Sequence, residues 1–164
     1  MAEAPIVAPA GGVPITHLTV HHTVTSRAAT VADIRRIHVN GNGWDDVGYH
    51  YLLRQPNAAD TPEVLVGRAE NGDPWIVGTE VGAHTFGGRN ADSIAIALIG
   101  NFHDSPLPES MRSALTYWLV QQCQRLGLDE TAITGHKENP GNATVCPGAF
   151  VDMDRLRADV RALL

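Results

Sequence analysis

The stretch Ser93-Ile94-Ala95-Ile96-Ala97-Leu98-Ile99 constrains the fold of this chain more than any other. In an extended backbone successive side chains point to opposite faces. Ile94, Ile96 and Leu98 then form one row, and Ala95, Ala97 and Ile99 form the other. Both rows are apolar, and a strand with two apolar faces belongs inside a sheet covered on both sides. The small alanines let a helix approach one of those faces closely. Covering helices are readable in the sequence. Pro108 precedes a helical pattern to about Leu126, with Met111, Leu115, Leu119 and Leu126 on one stripe and Gly127 as its stop. Asp152 can cap a final helix with Met153, Leu156, Val160 and Leu163 as its buried stripe. Val31 to His38 reads as a short helix after the polar Thr30, broken by Gly41-Asn42-Gly43. Residues 15–24, Gly48 to Leu53, Val64 to Gly67 and Ile133 to Gly135 read as further strands. The expectation is an α/β fold with a central sheet covered by helices, in one domain over residues 15–164. An Ala/Pro/Gly-rich stretch, residues 1–14, reads as a loose N-terminal arm.

The chain has 164 residues, 43% of them hydrophobic, a size that suits one domain with a sizeable core. The net charge of -6 argues against nonspecific nucleic-acid binding and against an electrostatic hold on anionic membranes. No apolar run approaches the roughly 18 residues of a spanning helix. Met1-Ala2-Glu3-Ala4-Pro5 has neither a basic n-region nor a long apolar h-region, so synthesis in the cytoplasm without a conventional signal peptide is expected. Two cysteines do not make a disulfide framework. Cys123 falls in a helical pattern and reads as a small packed hydrophobe. A Cys123–Cys146 bridge is the weaker reading.

Three residues suggest a metal site. Cys146, in Thr144-Val145-Cys146-Pro147-Gly148, follows His136 of Gly135-His136-Lys137, and a strand-like His21-His22-Thr23 lies far upstream. Catalytic zinc sites commonly use three protein ligands and keep the fourth position for water. Alternation selects between the two adjacent histidines. His17, Thr19, His21 and Thr23 share a polar face; Leu18, Val20, His22 and Val24 share an apolar one. His21 is the ligand candidate on an open groove, and His22 reads as a hydrogen-bonded structural histidine. Alone, His21 would read as a surface histidine on a polar face. Tyr49 follows Gly48 at the start of a strand, where its phenol could donate to a developing oxyanion. Tyr51 reads as core. His84, in Gly82-Ala83-His84-Thr85, suits either a groove wall or an ordinary polar loop. His17, His38, His50 and His103 have no ligating spacing.

The chain resembles the zinc-dependent N-acetylmuramoyl-L-alanine amidases, the group that includes phage lysozyme-type amidases and the peptidoglycan-recognition proteins. The resemblance covers about residues 15 to 163. It rests on the order of Val20-His21-His22-Thr23, Gly43-Trp44-Asp45-Asp46-Val47-Gly48-Tyr49-His50-Tyr51, Val66-Gly67-Arg68, Gly82-Ala83-His84-Thr85, Ser93 through Phe102, Gly135-His136-Lys137 and Cys146-Pro147-Gly148. It implies a mixed central sheet flanked by helices, with a groove for bacterial peptidoglycan. It also implies cleavage of the amide between the muramic acid lactyl group and L-alanine of the stem peptide. Carried over by position, His21, His136 and Cys146 match ligands for one zinc ion per chain. Tyr49 matches the catalytic tyrosine, and Thr144 a position held by lysine or threonine in active members. His84 and Thr85 are expected on the substrate groove. Zinc so held lowers the pKa of its water to about 7 and polarises the scissile carbonyl.

Two departures from the family pattern stand out. The segment from His136 to Cys146, with Asn139-Pro140-Gly141-Asn142, is slightly longer than usual. The strand Ser93-Ile94-Ala95-Ile96 has alanine where glycine is common. Glu138 reads as a solvent-facing carboxylate rather than an acid supporting the site. Three functional classes follow. The first is a catalytic lysin of phage or prophage origin, monomeric, acting on the wall in the periplasm after release. The second is a peptidoglycan-recognition module that does not cut; such modules characteristically lack the cysteine or another ligand. The third is a cytosolic wall-recycling amidase, which carries an aspartate where this chain has Cys146. A bacterial antagonism effector would share the features of the first.

Overall fold

A computed structural model describes residues 14–68 and 81–164. Apart from Pro14, the expected N-terminal arm lies outside the described residues. The strands are β1 (His17–His22), β2 (Tyr51–Arg54), β3 (Glu63–Val66), β4 (Ser93–Leu98) and β5 (Ile133–Gly135). They form one sheet in the order β3-β2-β4-β1-β5. β4 runs parallel to β1 and β2, and β5 parallel to β1; β3 is antiparallel to β2. The sheet is mixed, as the family resemblance implies, and its middle strand is the doubly apolar segment. A short helix, α2 (Arg89–Asp92), leads into β4, and every residue of β4 is buried.

Alternation decides what each face does. Leu18 and Val20 of β1, Tyr51 and Leu53 of β2, and Ile94, Ile96 and Leu98 of β4 join one cluster with two helices, α3 (Glu109–Leu126) and α4 (Met153–Leu163). Burial of each such aliphatic side chain stabilises the fold by about 1.5–3 kcal/mol. This cluster therefore holds sheet and helices as a unit. Tyr51 packs edge-on against Trp118, with ring centroids 5.2 Å apart, in the core position expected of it. On the opposite face a smaller cluster of Ile34, Val47, Leu52 and Ile99 packs beneath α1 (Val31–Arg36). Thr30 caps α1 through a reciprocal box with Asp33: each side chain accepts from the other residue's backbone N–H. His17, Thr19 and His21 occupy this second face, away from the large cluster.

Several elements differ in extent or burial from the sequence expectation. The helix expected over Val31 to His38 is α-helical only to Arg36 and continues as a π-helical stretch, Ile37–Gly41. That stretch buries His38, whose Nδ1 accepts from the Gly48 N–H at 2.9 Å. β1 stops at His22, because Val24 turns the backbone to φ 56. β2 begins at Tyr51 rather than Gly48. Gly48 passes so close to another chain segment that a Cβ would meet the Ala83 carbonyl oxygen at 2.3 Å. The Ala83 N–H instead donates to Gly48 O at 3.0 Å. In α4, Met153, Leu156 and Val160 are buried, but Leu163 is exposed because the last turn runs past the packed face.

Helix α3 ends at Gly127 in the left-handed conformation. Asp152 caps α4 by accepting from the Arg155 N–H. Cys123 and Cys146 are both buried and free, which excludes a bridge between them. Among the described residues no helix is long and apolar enough to cross a membrane.

Candidate metal centre

Two adjacent parallel strands bring the histidines together. His21 lies near the C-terminal end of β1, and His136 directly follows β5, its neighbour. Ligand sites in open α/β sheets form at this end of the strands. Cys146 arrives on the segment after His136 and is held by three hydrogen bonds. Its carbonyl accepts from the Lys137 N–H at 2.8 Å. Its N–H donates to the Thr144 hydroxyl at 3.2 Å, and its Sγ accepts from the His22 N–H at 3.4 Å.

The ligand atoms of His21, His136 and Cys146 all lie within 4.8 Å of one another. His21 Nδ1 stands 3.6 Å from Cys146 Sγ. Zinc bonds of about 2.0–2.3 Å at tetrahedral angles put neighbouring ligand atoms about 3.3–3.8 Å apart. The His21–Cys146 edge already has that spacing. The two-nitrogen, one-sulfur donor set is one that tetrahedral zinc takes, so the residues present fit the ion.

His22 points away from this group, as alternation requires. Its Nδ1 accepts from the Phe102 N–H at 3.1 Å. Burial and the neighbouring histidines hold His21 well below its ordinary pKa, and burial lowers His136, so both rings are neutral donors at pH 7. Burial pushes the Cys146 thiol up to about 12, against the opposing effects of the His22 N–H and Lys137. A cation binding here must displace that proton, so metal affinity rises with pH.

His84 has a different place from the groove wall alone. It is buried, and its Nδ1 lies 2.9 Å from His21 Nε2. Its own Nε2 lies 3.2 Å from Ser93 Oγ, and the Ser93 hydroxyl donates its single hydrogen to Arg89 O. Ser93 must therefore accept from His84, and His84 Nδ1 must accept from His21 Nε2–H. The chain of donors leaves His21 Nδ1 bare and facing Cys146, the form a metal ligand needs. Asn90 fixes this loop: its Oδ1 accepts from the His84 and Thr85 N–H groups at 2.9 and 3.0 Å. The Thr85 hydroxyl faces Asn139 Nδ2 at 3.3 Å, so it is engaged within the protein. Sequence reasoning missed Ser93 and Asn90. A polar residue heading an otherwise apolar strand was the available signal for Ser93.

Tyr49 stands beside the cluster, its ring centroid 5.1 Å from that of His21. Burial, and then the charge of Cys146, push its phenol well above the ordinary value, so it stays a donor. Thr144 lies on the same segment as Cys146, and its hydroxyl accepts from the Cys146 N–H; it retains its own hydrogen to donate. Glu138 is exposed, as expected of a solvent-facing carboxylate, and its oxygens are engaged by neighbours. It accepts from the Gly135 N–H at 2.6 Å and pairs with Arg157 at 3.0 Å. Trp44, Ala83, His84, Thr85, Phe86, Asn90 and His136 line a groove of about 340 Å³ next to the cluster.

Comparison with known proteins gives a consistent picture. The family model described as N-acetylmuramoyl-L-alanine amidase matches residues 11–149. An N-acetylmuramoyl-L-alanine amidase of Sus scrofa is 31% identical over 146 residues, covering 82% of this chain and 22% of that protein. The chain thus spans less than a quarter of the length of that relative. Peptidoglycan-recognition protein SC1a of Drosophila melanogaster is 28% identical, covering 84% of this chain and 70% of its own. Among solved structures, the amidase LysC from Clostridium intestinale aligns with a TM-score of 0.71 at 25% identity, covering 89% of this chain and 85% of its own.

Proposed function

Since the chain belongs to the N-acetylmuramoyl-L-alanine amidase family, we propose that it is a zinc-dependent peptidoglycan hydrolase. Its reaction would be cleavage of the amide between the lactyl group of N-acetylmuramic acid and L-alanine of the stem peptide. The observation that carries this reading is the gathering of His21, His136 and Cys146, with the His21–Cys146 spacing of a tetrahedral zinc site. A zinc ion held there supplies Lewis-acid polarisation of the scissile carbonyl and a water acidic enough to react near neutral pH.

The chain's own residues do the rest. The groove beside His136 takes the substrate, with Trp44 and Phe86 offering apolar walls. Tyr49, kept protonated by burial, donates to the oxygen of the carbonyl as negative charge develops on it. Thr144, next to Cys146, is the second candidate donor. His84 acts through His21 by holding its ring orientation.

A peptidoglycan-recognition role without cleavage is the second reading, favoured by the likeness to recognition proteins. One solved recognition-protein complex, 25% identical, is described as bound to tracheal cytotoxin. The complete ligand set and Tyr49 beside it support catalysis over recognition alone. The biological setting we infer is a phage or prophage lysin, monomeric and acting on the cell wall after release. A solved endolysin amidase from Clostridium intestinale, at TM-score 0.71 and 25% identity, supports it.

Metal removal tests the chemistry. Chelation should abolish solubilisation of purified peptidoglycan, and one equivalent of zinc per chain should restore it. Full activity in the exhaustively chelated, metal-free protein would contradict the zinc reading.

A further inference from the structure

The segment between His136 and Cys146 carries a side chain with every hydrogen-bonding atom committed. Asn142 Nδ2 donates to Asn139 O at 3.2 Å and to Pro140 O at 3.0 Å. Two carbonyl acceptors fix which carboxamide atom is nitrogen. The other atom is therefore oxygen, and it accepts from the Phe86 N–H at 3.2 Å. The same oxygen stands 2.8 Å from His136 Nε2. A carboxamide oxygen has no hydrogen to give, so His136 Nε2 carries the proton. A neutral imidazole holds only one, and His136 Nδ1 is left as the bare lone pair.

The surrounding backbone keeps Asn142 there. Pro140 O lies 2.9 Å from where a Cβ on Gly87 would be, and Gly87 has φ +71. The segment thus rests directly on the loop that contains Phe86, and a side chain at position 87 would push the two apart.

We propose that Asn142 is a positioning residue that fixes His136 as its Nε2–H tautomer and presents Nδ1 to the cation, while tying that ligand to the Phe86 wall of the groove. The slightly longer segment is what brings it within reach. The proposal rests on the zinc reading of the cluster for its purpose, though not for its geometry. Hydrogen-bonded partners of metal-bound imidazoles typically change metal affinity by about 10–100-fold when removed.

Two measurements test it. Nitrogen-15 NMR of the imidazoles in zinc-free wild-type protein should show His136 as the Nε2–H tautomer, and in Asn142→Ala as a mixture of tautomers. Chelator competition should show zinc binding to Asn142→Ala weakened by about 10–100-fold, with the wild-type circular dichroism spectrum retained. A wild-type His136 in the Nδ1–H form, or equal zinc affinity in the two proteins, would overturn the proposal. A wild type that binds no zinc would instead defeat the functional reading, and its His136 tautomer would still decide this one. Should Asn142→Ala fail to fold, the wild-type NMR result decides alone.

Discussion

Cys146→Ala is expected to lose zinc and, with it, peptidoglycan cleavage. The thiolate is the only sulfur donor in the cluster and supplies the negative charge that offsets the cation. Its Sγ also accepts the His22 N–H. Removal leaves two neutral imidazoles in a buried site, where a divalent cation is costly without charge compensation. The affinity loss should exceed the roughly 10–100-fold that follows from losing a ligand's hydrogen-bonding partner. The fold should survive, because Cys146 lies on an irregular segment outside the main apolar cluster. His22→Ala is the matched control. Its ring faces Phe102 and lies on the other side of β1 from the site. Metal analysis should find about one zinc per chain in wild type and in His22→Ala, and almost none in Cys146→Ala. Zinc retained in Cys146→Ala and lost in His22→Ala would reverse the ligand assignment.

Tyr49→Phe is expected to keep both zinc and fold while turnover falls by roughly 10²-fold or more, the scale of removing one oxyanion donor. The ring should stay packed against His21 and His38, since only the hydroxyl is removed. Binding of intact peptidoglycan should change far less than turnover, because the donor acts on charge that develops during the reaction. Thr144→Val is the companion variant. It keeps the branched shape but removes both the acceptor for Cys146 N–H and the free donor. Lower turnover at unchanged zinc content would mark Thr144 as a transition-state contact, and lost zinc would mark it as a support for the Cys146 backbone. Wild-type turnover in Tyr49→Phe would make that tyrosine a packing residue.

Much of this architecture was legible where a periodic pattern had one explanation. β4 announces itself because both of its faces are apolar, and it is buried throughout. The stripe of α3 and its glycine stop are equally local. Alternation alone separated His21 from His22, and their partners bear that out. Legibility failed where tertiary contact decides. Leu163 continues the stripe of α4, but the helix outruns the surface that would cover it. Tyr49 and His50 have strand character, yet Gly48 makes its close approach to Ala83 before the β2 ladder begins.

The site shows the same division. Candidate ligands could be picked out by residue type and order. The supporting contacts could not, because they join distant segments. His84 reaches His21 across 63 positions. Asn142 meets Phe86 across 56. No spacing rule links such pairs; they become neighbours only when the sheet order sets β1 between β4 and β5. The longer segment after His136 reads in sequence as a departure. In the folded chain, its last asparagine touches a candidate ligand.

The claim that this cluster hydrolyses the muramoyl–alanine amide is tested most directly by mass spectrometry of purified peptidoglycan digested with the zinc-loaded protein. The account predicts released intact stem peptides that begin with a free L-alanine amine, and glycan strands whose muramic acid carries a free lactyl carboxylate. New reducing ends on the glycan, cleavage within the stem peptide, or peptidoglycan that is bound but left uncut would contradict it.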